Sequence, residues 1–237
     1  MKPKGDQFLS AKQEKRDVLN KQKSSCDFDV HWSKAKNGVR AKSLLQDAFY
    51  PGSFLLGRQH ILPQAAGDVM EIGVGRGRNL PLYKSHKVRS YIGVDHSPNV
   101  RQICEMAERV DFPVEVVASL PEALSLPSES MDCVVSTYTL CSVKHPQKVM
   151  SEIWRVLKPG GLLLFCEQGR HPSRHVAFMQ DKLTPFWRRI AFGRSLNRNM
   201  FRLISGAGFK MDFFEMDRFP LKPLILGYHY AGVAVKA

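Results

Sequence analysis

Residues Val69–Tyr83 read VMEIGVGRGRNLPLY. A strand-like start with one carboxylate, Glu71, runs directly into Gly73, Gly75 and Gly77. A strand that ends on alternating glycines makes a turn whose backbone a ligand can approach closely. The spacing is not that of a dinucleotide turn, because G-x-G-x-x-G would put its third glycine where Arg78 stands. No G-K-[ST] follows, which excludes a phosphate-binding P-loop. Further on, YIGVD ends in Asp95, twenty positions past Gly75, where an acid accepts both hydroxyls of a ribose. The turn and this carboxylate together point to a nucleoside ligand.

Outward from the turn, short β-rich runs alternate with helical patterns, which predicts an α/β fold with a parallel sheet and helices on both faces. The strands are expected at 68–72, 90–95, 114–118, 132–137, 161–167, 209–216 and 226–235. Ser97-Pro98 and His145-Pro146 each read as a helix start with proline at the first helical position. In the second helix Val149, Ile153, Val156 and Leu157 form one apolar stripe, and Pro159-Gly160-Gly161 ends it.

At 237 residues and 43% apolar content, the chain suits one substantial core. Residues 1–25 are polar and Lys-rich and are expected to form a basic arm. Residues 26–237 are expected to be a single domain with an N-terminal helical cap over 26–62 and an insertion over 168–205. The start lacks the apolar centre of a secretory signal, and no run reaches the roughly 18 apolar residues of a membrane span, so a cytoplasmic location is expected. Five cysteines without C-x-x-C spacing point to reduced thiols, with neither a disulfide framework nor a metal site. The net charge of +13 is concentrated in the flanks: Lys and Arg outnumber Asp and Glu 11 to 6 over 1–50 and 10 to 4 over 171–224, but only 13 to 12 over 51–170. Such flanks attract an anionic surface or serve solubility alone. No nucleic-acid module is visible, and no nucleic-acid partner is expected.

EIGVGRG, YIGVDHSP, SMDCVVSTYTL and RVLKPGG, in that order, resemble successive motifs of the class I S-adenosylmethionine-dependent methyltransferases. The resemblance implies a Rossmann-like seven-stranded sheet in the order 3-2-1-4-5-7-6 with the last strand antiparallel, and S-adenosylmethionine as cofactor. Carried over by position, Glu71 is the acid of the first motif near the methionine end, Gly73, Val74 and Gly75 form the turn under the cofactor, and Asp95 binds the ribose. His96 lies beside the adenine, Ser119 and Leu120 at its edge, and Thr137 near the methionine portion. Many relatives have an Asp where Ser119-Leu120 falls.

The runs STYTLCSVKHPQKVMSEIWRVLKPGG, KLTPFWRRIAFGRSLNR and GYHYAGVAVK also resemble the methyltransferase-like thiol S-methyltransferases, with Arg194 standing where those relatives have a Cys. This implies methyl transfer to a small-molecule acceptor, first a thiol. The turn also resembles that of bacterial phosphatidylethanolamine N-methyltransferases, which makes a phospholipid acceptor at an anionic membrane surface the alternative. A cofactor-binding scaffold without catalysis is the alternative of another class. A thiol acceptor reacts as thiolate, so a base is sought in His145 and His171, each of which has a solvated or core reading as well. Tyr138 and Glu167 end strands at the carboxyl edge, where they either contact substrate or serve strand-end packing. Apolar residues beside cations, Phe54-Leu55-Leu56 and Arg188, Arg189, Arg194, Arg198 and Arg202, suit a peripheral membrane contact or a solvated helix face.

Overall fold

Seven strands form one sheet in the order β3-β2-β1-β4-β5-β7-β6 in the computed structural model. The residues described are 53–191, 193–218, 225–226 and 228–237, with side chains except at 53–56 and 213–218, and all fall in the unit Ser33–Ala237. The expected arm and most of the expected cap lie outside them. Strands β1 (Gly67–Ile72), β2 (Val88–Asp95), β3 (Val114–Ala118), β4 (Met131–Thr137) and β5 (Leu157–Gln168) are parallel. Strand β7 (Tyr228–Val235) is antiparallel to both β5 and β6 (Lys210–Arg218).

Five helices accompany the sheet among the described residues: α1 (Ser53–Ile61), α2 (Val100–Ala107), α3 (Pro146–Val156), α4 (Arg174–Ile190) and α5 (Met200–Ser205). The apolar stripe of α3 behaves as its spacing requires: Val149, Ile153 and Val156 are completely buried, and α3 packs on β5 and α5. Each fully buried aliphatic side chain of this kind contributes about 1.5–3 kcal/mol.

Three local expectations are corrected. Helix α3 stops at Val156 and Leu157 already has extended backbone, four residues before the expected strand start; Pro159 disfavours helical backbone at the residue before it. The cap of α2 is Asn99, whose side chain accepts the N–H of Gln102, and not Ser97. Ser97 is used elsewhere, its N–H donating to Asp95. Between β1 and β2 the expected alternation supplies no α-helix, only the 3-10 turn Leu80–Leu82 around Pro81.

At the amino ends of the strands Arg89 donates to Asp68 and Asp132, and Lys158 meets Asp132 at 2.5 Å. The Arg89 guanidinium holds the Asp68 carboxyl down at about 2. This surface network ties β1, β2, β4 and β5 at the edge opposite the glycine turn.

Candidate active site

The glycine turn leaves β1 at the carboxyl edge of the sheet, where the chain order reverses between β1 and β4. Open α/β sheets bind ligands at such a switch point. The Gly73 N–H donates to the Val94 carbonyl at 2.7 Å, and the Asn99 N–H to the Gly75 carbonyl at 2.8 Å, so the turn is held by the end of β2 and the cap of α2. Gly73 has φ +74°, and a Cβ there would lie 2.0 Å from Thr139 Oγ1. Gly75 has φ +54°, and a Cβ there would meet nothing nearer than the Gly73 carbonyl at 3.9 Å, so its face is open.

Asp95 closes this arrangement. One carboxylate oxygen accepts the Gly75 N–H at 3.0 Å, the other accepts the Ser97 N–H at 2.9 Å, and His96 Nδ1 lies 3.3 Å away. Burial works to raise its pKa, but His96 and the two N–H groups win and hold the carboxyl below its ordinary value. The ionised group keeps lone pairs for further donors.

A cleft of about 490 Å³ opens here. The turn and the end of β2 contribute Gly73, Gly75, Asp95 and His96 to its lining, and the loop after β3 contributes Leu120 and Glu122. The loop after β4 contributes Tyr138, Thr139, Ser142 and Lys144, and the insertion contributes Arg194. Tyr138 has φ +53°, a left-handed conformation that a bulky residue adopts only where its surroundings enforce it.

The enforcing group is Glu167. It is fully buried, and its carboxylate accepts the Ser136 hydroxyl at 2.7 Å and the N–H groups of Thr139, Leu140 and Cys141, each at 3.0 Å. Burial raises its pKa against these donors. The insertion holds the same loop from outside: the Ser195 N–H donates to the Cys141 carbonyl at 2.8 Å, and Arg198 donates to the carbonyls of Leu140 and Val143.

Behind the turn, Glu71 is buried and accepts hydrogen bonds from Asn79 Nδ2, Tyr83 OH and Tyr91 OH, each at 2.8 Å. Burial outweighs the three donors and raises its pKa to about 7. Asn79 Nδ2 also donates to Thr137 Oγ1 at 2.9 Å, linking the ends of β1 and β4.

Residues 70–165 match the model of a methyltransferase domain. Over 174 residues, 71% of this chain and 70% of the relative, the sequence is 38% identical to thiol S-methyltransferase TMT1B of Rattus norvegicus. The chain belongs to the thiol S-methyltransferase family. It is also 32% identical to the phosphatidylethanolamine N-methyltransferase of Cereibacter sphaeroides over 125 residues, 51% of this chain and 60% of that one. A SAM-dependent methyltransferase of Methanosarcina mazei shares the fold, with TM-score 0.56 at 20% identity over 79% of this chain and 97% of that one. As a member of the thiol S-methyltransferase family the protein is an S-adenosylmethionine-dependent enzyme, and the scaffold alternative is set aside.

The residues present fit that cofactor. The open face of Gly75 leaves room for a ligand against backbone, and Asp95 is an ionised acceptor beside it. Of the residues singled out in the sequence of this family member, Gly73, Gly75, Asp95, His96, Leu120, Thr137 and Tyr138 line the cleft. Others do not. Val74 is buried against Gly93, and the Ser119 hydroxyl donates to the Leu120 and Ala123 carbonyls of its own turn. Glu71 and Glu167 are buried behind the lining, each with its carboxylate accepting hydrogen bonds from protein donors. His145 is an exposed residue at the head of α3, and His171 is buried beside Tyr228 with Nδ1 accepting the Ser173 N–H. The structure brings neither histidine to the cleft.

Sequence reasoning missed Glu122, Thr139, Ser142 and Lys144 as lining residues. Glu122 stands just past Ser119-Leu120, where the resemblance to class I methyltransferases implies an acid, and Lys144 directly precedes the His145-Pro146 helix start; both signals were in the sequence.

Proposed function

We propose that the enzyme transfers a methyl group to a small thiol. Similarity to thiol S-methyltransferase TMT1B supports the acceptor, and the cleft adds a physical reason. Its acceptor-side candidates, the 137–144 loop and Arg194, bring two cations and no carboxylate to the lining. A thiol with an ordinary pKa of about 8.5 is mostly protonated at neutral pH, and a nearby positive field favours the reactive thiolate. Lys144 and Arg194 supply that field, and the proton leaves to solvent without a dedicated base.

When bound, S-adenosylmethionine supplies a methyl group already activated by a positively charged sulfur. Aligning the nucleophile and excluding water is then the main work of the chain. We infer that Gly73 and Gly75 give the cofactor its backbone bed, Asp95 accepts its ribose hydroxyls, His96 and Leu120 border its base, and Thr137 borders its amino-acid portion. Glu122 replaces the missing acid at the adenine edge. Glu71 and Glu167 act as positioning residues, the first for the turn through Asn79, the second for the Tyr138–Val143 wall.

A second reading, a phosphatidylethanolamine acceptor, is supported by the similarity to the enzyme of Cereibacter sphaeroides. Release of S-adenosylhomocysteine with a panel of alkyl thiols and with phosphatidylethanolamine vesicles separates the two. Turnover with thiols is expected; turnover with vesicles alone favours the second reading and overturns the first.

A further inference from the structure

The loop after β3 carries one side of the cleft, yet residues 119–130 pair with no strand of the sheet. Its start is tied to β2, the Ser119 N–H donating to the Asp95 carbonyl at 3.1 Å. Its end returns to α3, where the N–H groups of Glu129 and Ser130 donate to the Arg155 and Val156 carbonyls, each at 2.9 Å. Between these ends two side chains of α3 hold the backbone. Glu152 accepts the Leu124 N–H at 2.8 Å, and Arg155 donates to the Leu124 carbonyl at 3.0 Å and the Leu126 carbonyl at 2.7 Å. The pair is joined to itself by two bonds of 2.8 Å, from Arg155 Nε to one Glu152 oxygen and from Nη2 to the other. Their spacing of three residues puts both side chains on one turn of the helix surface. The planar fork of a guanidinium presents donors to a carboxylate and to two carbonyls at once, which the point charge of a lysine does not.

This clamp acts on the cleft without touching it. Glu122 stands two residues before Leu124 and Leu120 four before it; both line the cleft, whereas Glu152 and Arg155 do not. Leu120 is 59% exposed, an apolar side chain offered at the rim. Glu122 is near His96: the hydrogen bond to Asp95 raises the His96 pKa, and the charge of Glu122 adds to it. On its other side the loop borders an open groove lined in part by Glu152 and Arg155. A surface loop of this kind depends on such bonds for its shape, and a misplacement of about 1 Å passed on to a site costs up to about 100-fold in function.

We propose that Glu152 and Arg155 are positioning residues for the cofactor's base: by fixing Leu124 and Leu126 they hold Leu120 and Glu122 against the adenine and so set how well the cleft tells adenine from other purines. The proposal rests on the reading that Leu120 and Glu122 border the base.

Calorimetry of the full chain with S-adenosylhomocysteine and with S-inosylhomocysteine, in which an oxo group replaces the adenine amino group, tests it. Wild type is expected to prefer the adenine compound by about tenfold or more, because a carboxylate that accepts the amino group meets an oxygen in the inosine compound. Arg155→Lys keeps the charge and loses the fork; it is expected to bind S-adenosylhomocysteine about tenfold more weakly and to lose most of the preference. Glu152→Gln, whose amide oxygen still accepts the Leu124 N–H, is expected to keep part of both. The KM for a small alkyl thiol at saturating cofactor is expected to stay at the wild-type value, since the 137–144 loop is untouched. An Arg155→Lys variant with the wild-type preference overturns the proposal whatever its stability, and so does one whose thiol KM rises as much as its cofactor affinity falls. Glu122→Gln separates the clamp from the reading beneath it. If Glu122→Gln keeps the wild-type preference while Arg155→Lys loses it, the clamp stands and the role of Glu122 falls; no preference in wild type overturns both.

Discussion

The Asp95 carboxylate accepts the backbone N–H of Gly75 at 3.0 Å. Two sequence signals twenty residues apart are thus one object: the acid we propose as the acceptor of the ribose hydroxyls also fixes the glycine turn beneath it. Asp95→Ala removes both functions. By calorimetry the variant is expected to bind S-adenosylmethionine about 10- to 100-fold more weakly, the range for losing hydrogen bonds to a charged group. Equal affinity would remove Asp95 from the cofactor site.

Glu167 holds a wall of the cleft through four donors, so Glu167→Ala leaves three N–H groups and a hydroxyl buried without an acceptor. Urea unfolding is expected to show a loss of about 3 kcal/mol. Glu167→Gln keeps one amide oxygen in place and is expected to recover part of it. Thiol turnover should fall in both, through KM more than cofactor affinity, because the loop and not the glycine turn is disturbed.

Glu71 gives the stability a pH dependence of defined sign. Its folded pKa of about 7 lies above the ordinary value of 4.5, so the native state binds the proton more tightly than the unfolded chain. Its stabilising share is complete below about pH 4.5 and is lost as pH rises through 7. In Glu71→Gln this share cannot titrate. Between pH 5 and 8, the stability of wild type relative to Glu71→Gln is expected to decline; parallel curves would contradict the raised pKa.

Much of this was legible in the sequence, because the sheet is set by local signals. The strand runs at 68–72, 90–95 and 132–137 fall within β1, β2 and β4, and their carboxyl ends deliver Gly73, Asp95 and Thr137 to one edge. What pattern could not carry was side-chain direction. Glu167 ends a strand at the right edge, yet the 139–141 loop folds over it and turns it from a substrate candidate into an anchor. His171 met the chemical requirement of a base, but the insertion buries it beside Tyr228. Arg194 stood out as a departure from relatives and as one of a run of cations, and its approach to the cleft depends on the chain path after α4, which no periodicity encodes.

Arg194→Met tests the cationic wall. At neutral pH kcat/KM for a thiol is expected to fall about tenfold, and the deficit should shrink as pH rises past the thiol's own pKa of about 8.5, where thiolate forms unaided. A deficit constant across pH would assign Arg194 a packing role only.

The central claim is that this cleft moves a methyl group from S-adenosylmethionine to sulfur. Incubation of the enzyme with cofactor bearing a trideuterated methyl group and a small alkyl thiol, followed by mass spectrometry, reads the product directly. The account predicts the deuterated methyl thioether with wild type and its near absence with Asp95→Ala. No labelled thioether with any thiol, while the enzyme binds the cofactor, would contradict it.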